Sequence, residues 1–382
     1  MTASYCSIED LLRKTQPQTP VYCVYPHIYK QSTRHFVDGF PGRVLFAVKS
    51  NNHPVVLKLL HKFGIRHFDC ASLPEIQLVS ELCADSTIYY MNPVRLNGHA
   101  REAQREHGVR HFMIDHHSGL TPLVDEIDPV DTVIFARMAV SHESAMENLS
   151  SKFGARPENI PGLLQAIADS GAEPALAFNV GASVTSPDAY VYAMGVARDV
   201  LDKLPFRVRL MDIGGGFPKS YPGFEVPELK QFFERTALAK ADVPLADNGE
   251  LLSEPGRALS APGLSAVVRV LLRKADRIYL NDGMYGAFWE LRFRGHKQYP
   301  CRTYRNGEAL SGETRAFRLF GPTCDSSDVL PAKVDLPADI DVGDHVEFGM
   351  IGAYSLSGRT RFNGFYSDDI VTIDDQNSLP PS

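Results

Sequence analysis

Three short stretches of this chain place reactive or anion-binding groups where chemistry is plausible. "FAVKSN" (46–51) ends an apolar, sheet-like run with Lys49. A lysine there is either salt-bridged or snorkelling to water, or its amine is neutral and free to attack a carbonyl. "MDIGGGFP" sets Gly214, Gly215 and Gly216 directly after a strand-like run. Backbone N–H groups of such a turn can close on a phosphate, although three glycines also serve as a plain tight turn. The stretch lacks the G-x-G-x-x-G spacing of dinucleotide sites, and no helix clearly follows it. "SEPGR" joins Glu254 and Arg257 through Gly256. That reads either as a second anion turn beside a carboxylate or as a buried ion pair.

One ligand accounts for all three stretches. A carbonyl for the lysine, a phosphate for the glycines and a basic ring nitrogen for the carboxylate together describe pyridoxal 5'-phosphate. Lys49 forms the Schiff base in this reading, Gly214 to Gly216 hold the phosphate, and Glu254 keeps the ring nitrogen protonated.

These groups must be positioned by regular elements. Eight short runs rich in β-branched and aromatic residues recur: "RVLFAVK", "RHFDCAS", "TIYYMNP", "RHFMIDH", "TVIFARM", "ALAFNVG", "VRLMDIGGG" and "LLSEPGR". Segments with helical spacing, such as "HPVVLKLLHKFG" and "LPEIQLVSEL", separate most of them. Strand and helix alternating about eight times is the pattern of a parallel (β/α)8 barrel. Lys49, Asp69, Asn92, Asp115, Arg137, Asn179, the glycine triplet and Glu254 with Arg257 all stand where strands end. In a barrel those ends converge on one face, where active sites form.

After about residue 258 the texture changes. "GLSAVVRVLLRK", "RIYLNDGMYGAF", "TRAFRLFGPTC", "VGDHVEFGMIGAY" and "DIVTI" are strand-like and separated by Gly, Pro and Asp turns. The expected organisation is an α/β barrel over 26–257 and an all-β domain over 258–382. The first 25 residues are expected to pack on the β domain.

Composition narrows the partners. A chain of 382 residues with a net charge of -7 and a pI near 6.0 has no basic stripe for nucleic acid, so a small-molecule partner is expected. "MTASYCSIEDLLRK" is neither a secretory signal nor a membrane anchor, which points to the cytoplasm. The six cysteines lack C-x-x-C spacing, so neither a metal site nor a disulfide framework is expected.

In this order and number the motifs resemble the ornithine/diaminopimelate decarboxylase family of pyridoxal-phosphate enzymes, nearest its ornithine/lysine branch. "FAVKSN", "FDCASLPEIQLV", "YMNPV", "SKFGA", "DIGGGFP", "SEPGR", "NDGMYGAF", "GPTCDSSD" and "GAYSLSGRTRFNGF" carry the likeness almost end to end. The resemblance implies a barrel followed by a β domain and decarboxylation at the α-carbon of an amino acid. It assigns Lys49 to the Schiff base, Glu254 to the ring nitrogen, and Gly216, Gly256, Arg257 and Tyr354 to the phosphate. Asp69, Glu75 and Arg137 line the pocket in the same comparison. Cys324 matches the cysteine that protonates the carbanion after carbon dioxide leaves, and in this family it comes from the other subunit. Asp325 matches the acid that receives a distal amine, with Tyr285 and Phe362 beside the substrate. The resemblance therefore implies a homodimer with shared active sites, and matches Lys152 and Asp328 to a pair that bridges subunits.

Some positions depart from the ornithine pattern. Where relatives read "FHVGS", this chain reads "FNVGAS": Asn179 stands for the ring-stacking histidine and Ala182 for the phosphate-binding serine, with Ser183 one step along. Where relatives carry an aspartate for the distal amine, the count from Asn281 reaches Arg294, or Gly295 with a shift of one residue, and neither is an acid. A cation there repels an ammonium and favours a carboxylate-bearing substrate. Two functions follow for an active enzyme: decarboxylation of a diamino acid in polyamine synthesis, or of a carboxylate-bearing conjugate such as a siderophore precursor. A silent regulatory homologue and an amino-acid racemase on the same fold are the alternatives.

Overall fold

A computed structural model describes residues 3–293 and 298–381. The chain divides into two compact units. One comprises Thr33–Lys219 and Val226–Ala258, the other Met1–Ser32, Ser220–Glu225 and Leu259–Ser382.

The first unit is a closed barrel of eight parallel strands. In barrel order they are Arg43–Ala47, His67–Cys70, Thr87–Tyr90, His111–Ile114, Val133–Met138, Glu173–Phe178, Leu210–Asp212 and Glu250–Ser253, the last pairing back onto the first. Six fall within the sequence runs, while Glu173–Phe178 begins two residues before "ALAFNVG" and Glu250–Ser253 one residue before "LLSEPGR". Their side chains are buried almost throughout because the interior is filled by Leu45, Tyr89, Met113, Phe135, Leu210 and Leu252. Helices cover the outside, which is why the strands read as apolar runs rather than alternating ones.

Local chemistry sets the helix limits. Pro54–Phe63 starts where the His53 ring nitrogen accepts from Val55 N–H at 3.3 Å, and stops at Gly64 with φ +126°. Leu73–Leu82 is capped by Ser72, while Glu75 reaches back to accept from Ala71 N–H at 2.7 Å. After the seventh strand the chain runs irregularly through the glycine triplet, and the next helix is Leu229–Lys240. A small antiparallel pair, Ala145–Glu147 with Ala182–Val184, lies outside the barrel.

The second unit is built on a ten-stranded mixed sheet. Leu264–Lys274 is its long central strand, pairing antiparallel with Val21–Val24, Arg277–Leu280 and His345–Phe348. Ile370–Ile373 lies between Ala3–Tyr5 and Val21–Val24, parallel to both. Ile8, Leu11 and Leu12 of the helix Ile8–Thr15 pack with Val267, Tyr304 and Val371. Cys301–Arg305, Glu308–Leu310 and Val334–Pro337 are strands that the sequence patterns did not flag. Among the described residues, no helix is long and apolar enough to cross a membrane.

Candidate active site

The barrel brings most of the expected residues to one end. Lys49 follows the first strand on a short 3-10 turn, with its side chain 46% exposed. Its Nζ stands 2.5 Å from Asp69 Oδ2 at the end of the second strand. The amine is therefore ion-paired and reachable, not enclosed in apolar surroundings. Arg137, on the fifth strand, has its guanidinium 5.4 Å from the Phe153 ring.

Glu254 follows the eighth strand, its carboxyl buried and Oε1 without a hydrogen-bond partner. Asp212, fully buried at the end of the seventh strand, also leaves Oδ2 unpartnered, as does Asp69 with Oδ1. Burial first, then the charges of Asp212 and Asp69, hold the Glu254 carboxyl well above the usual carboxylate range, against the pull of Lys49 and Arg137. Burial likewise pushes Asp212 up to about 7, overriding the Gly214 N–H and the neighbouring Glu254 that draw it down. Asp212 is a site residue that sequence reasoning missed. Its signal was a carboxylate at a strand end, two residues before the glycine triplet.

That triplet is clamped from both sides. Asp212 Oδ1 accepts from Gly214 N–H at 2.7 Å, and Glu254 N–H donates to the Gly214 carbonyl at 2.8 Å. Gly214 and Gly216 have φ +72° and +96°, and a Cβ on Gly216 would fall 2.5 Å from the Gly181 carbonyl oxygen. A Cβ on Gly215 would meet the Glu254 carbonyl at 2.7 Å, with Asn179 Nδ2 at 3.9 Å. Behind it, the buried Tyr190 hydroxyl donates to the Gly215 carbonyl at 2.8 Å. Gly256 closes on Ser50, where a Cβ would approach to 2.9 Å, and Arg257 is buried on the same turn.

The departures have structural counterparts. Asn179 turns its side-chain oxygen to Gly181 N–H at 3.0 Å, bracing its own loop. Ser183 is buried at φ +48°, a backbone conformation that side chains other than glycine seldom adopt. Other strand-end polar residues serve the loops: Asn92 bonds the Ala71 carbonyl and Val94 N–H, and Asp115 accepts from Gly154 N–H.

A second group assembles within the β domain. The Tyr285 hydroxyl donates to Asp325, and the Phe362 ring stacks on Tyr285 at 4.4 Å. Cys324 is exposed, its backbone N–H bonded to Asn363 Oδ1 at 3.1 Å. The Tyr285 hydroxyl first, then the Ser327 donors, hold the Asp325 carboxyl down at about 2. Asp328 is buried and spends both oxygens on its own chain, while Lys152 lies 4.9 Å from the Phe153 ring. Tyr354 belongs to the same unit, at φ +59°. Arg294 lies outside the described residues.

The donor set at the barrel end fits pyridoxal phosphate. A reachable amine, a glycine cradle with no room for side chains and a buried carboxyl oxygen lacking a partner match carbonyl, phosphate and ring nitrogen. Among the described residues no cluster suited to a metal ion occurs.

Comparison with known proteins agrees. Residues 27–261 match the pyridoxal binding domain of pyridoxal-dependent decarboxylases, and residues 189–352 match their C-terminal sheet domain. The chain is 32% identical over 343 residues to lysine/ornithine decarboxylase of Selenomonas ruminantium, covering 87% of this chain and 84% of that protein. A SrLDC mutant in complex with PLP superposes with a TM-score of 0.85 at 28% identity, covering 97% of this chain and 95% of the other. Lysine/ornithine decarboxylase from Vibrio vulnificus, complexed with putrescine, gives 0.81 at 28% identity, covering 96% and 98%. A pyridoxal-phosphate site on an eight-stranded barrel, followed by a sheet domain, makes this chain a member of the ornithine/diaminopimelate/arginine decarboxylase family.

Proposed function

We propose that this protein removes the α-carboxylate of a basic amino acid of the ornithine/lysine type, or of a carboxylate-bearing conjugate of one, as a homodimer with shared sites. The observation that carries the reading is the buried Glu254 carboxyl, with an unpartnered oxygen, among Lys49, Asp69, Asp212 and Arg137. When bound, pyridoxal phosphate supplies a carbonyl for the substrate's α-amine and a ring that accepts the electron pair left as carbon dioxide departs.

The chain's own residues supply the rest. Lys49 holds the cofactor's carbonyl, with Asp69 fixing the amine's position before the cofactor arrives. Glu254 bears on the proton at the ring nitrogen, and the Asp212 charge beside it raises its affinity for that proton. Gly214, Gly215, Gly216, Ser183, Gly256, Arg257 and Tyr354 hold the phosphate, where backbone N–H groups approach closely because no Cβ intervenes. Arg137 and Asn179 line the pocket. Cys324 delivers a proton to the α-carbon, and Asp325, Tyr285 and Phe362 receive the distal end of the substrate. In this reading residues 26–257 carry the cofactor, and residues 258–382 of the neighbouring copy complete the site.

The test is carbon dioxide loss by mass spectrometry, with pyridoxal phosphate added and ornithine, lysine and arginine as first substrates. Lys49→Ala should abolish turnover while the protein stays folded. Full turnover by that variant would defeat the proposal, and an inverted substrate with no loss of mass would identify a racemase.

A further inference from the structure

The side chains around Tyr285 balance charge in a way that a bare ammonium does not match. Asp325 Oδ2 accepts from the Tyr285 hydroxyl and from Ser327 Oγ at 2.7 Å, and Oδ1 accepts from Ser327 N–H at 2.9 Å. A carboxylate offers about four lone-pair sites, so roughly one is left for a substrate. On the same tyrosine stands a cation: the Arg292 guanidinium lies 3.9 Å from the ring centroid. Arg292 is exposed, and its charge helps hold the Asp325 carboxyl down. Its charge and that of Asp325 cancel around one aromatic ring. A guanidinium stacked on a ring is held by the ring's quadrupole and keeps its planar donor fork for a carboxylate.

We propose that the substrate's distal end carries an N–H donor and, with it, a carboxylate: the donor meets the remaining acceptor of Asp325, and the carboxylate meets Arg292. This narrows the decarboxylase reading above and rests on it. The matching chemistry is a diamino acid whose distal nitrogen bears a dicarboxylic acyl arm, or one whose distal carbon itself bears a carboxylate. A lone ammonium leaves the guanidinium without a partner and adds a second cation beside it.

The experiment measures kcat/KM for ornithine, lysine, meso-diaminopimelate and Nδ-succinylornithine with the wild-type holoenzyme and with Arg292→Gln, Arg292→Lys and Arg292→Asp. A carboxylate-bearing substrate should be favoured over ornithine and lysine by about tenfold or more. Arg292→Gln should forfeit that preference chiefly through KM, raising it for the carboxylate-bearing substrate and lowering it for ornithine as the cation beside the ammonium goes, while Arg292→Lys keeps part of it and Arg292→Asp reverses it. Which of the two carboxylate substrates is used tells whether the acid sits on an acyl arm or on the amine-bearing carbon. Preference for ornithine or lysine, unchanged in Arg292→Gln, overturns the inference and leaves decarboxylation standing. If nothing in the panel loses carbon dioxide, the decarboxylase reading fails. Calorimetric binding of the same panel then decides the distal-end assignment: a carboxylate preference lost in Arg292→Gln supports it, and equal binding of all ligands overturns it.

Discussion

Replacing Asp328 tests whether the loop bearing Cys324 and Asp325 is held from within its own domain. The side chain is 2% exposed. Oδ1 accepts from Met284 N–H at 2.7 Å, and Oδ2 accepts from Thr323 N–H at 3.1 Å and Thr323 Oγ at 2.7 Å. A Cβ on Gly283 or Gly321 would come within 2.2 or 2.3 Å of its oxygens, so two glycines close around it. Because each oxygen accepts from a peptide N–H, an asparagine can satisfy one and must turn its own NH2 toward the other. A hydrogen bond to a charged group contributes about 1.5–3 kcal/mol, and a buried donor left unpaired costs about 1–3 kcal/mol. Asp328→Asn should therefore lose about 2–4 kcal/mol locally, and Asp328→Ala somewhat more because it also leaves a void. Hydrogen exchange read by mass spectrometry should show the amides of Met284 and Thr323 opening about 30- to 1000-fold faster, since each 1.4 kcal/mol is a factor of ten. Urea unfolding should shift in the same direction, and turnover should fall because Cys324 and Asp325 lose their frame. Exchange at both amides within about threefold of wild type, together with an unfolding change below about 0.5 kcal/mol, would refute the reasoning.

Two further perturbations probe the barrel end. Asp212, raised in the fold to about 7 from a usual 3.8, binds its proton in the folded state over that interval and releases it in the unfolded one. Its contribution to the stability of cofactor-free protein is thus full below about 4 and drains as pH rises through about 7, by at most about 1.4 kcal/mol per pH unit. Asp212→Asn keeps an acceptor for Gly214 and removes that proton, so its melting temperature should vary less with pH in this window. Half-buried His67 and His111, drawn down to about 4 and 3, act in the opposite sense but are common to both proteins and cancel in the difference, whereas Glu254, no longer held up by the Asp212 charge, changes in the same direction as the lost proton. Parallel curves would contradict the assignment. Ser183→Gly should relieve a left-handed serine and raise the melting temperature of cofactor-free protein slightly, by about 0.5–1 kcal/mol of stability. If the hydroxyl contacts the phosphate, the same change weakens pyridoxal-phosphate binding about tenfold. Unchanged affinity would remove Ser183 from the cofactor site.

The barrel was readable because each of its strands is a short apolar run bounded by turn chemistry, and its helices carry their own caps, such as Ser72 with Glu75 and His53 with Gly64. Lys49, Asp69, Arg137, Asn179, Gly214 and Glu254 were readable for a related reason. Strand ends are visible in the chain, and a closed parallel barrel must bring them together. These are properties of local windows of sequence, and by itself the sequence determined them. What no window contains is which side chains meet and which lose water. Ala3–Tyr5 finds its neighbour at Ile370–Ile373, near the opposite end of the chain. Asp212 becomes a partner of Glu254, not merely a carboxylate two residues before a glycine turn, through the register of neighbouring strands and the exclusion of solvent from both carboxyls. Asn92 and Asp115, polar at the right places, bond loop backbone, and Glu75 accepts from Ala71 N–H within reach of the Lys49 and Asp69 charges. Arg292 and Asp325, 33 positions apart, share one tyrosine ring. Hydrogen-bond satisfaction, desolvation and charge pairing depend on distance in space, so the tertiary structure alone decided them.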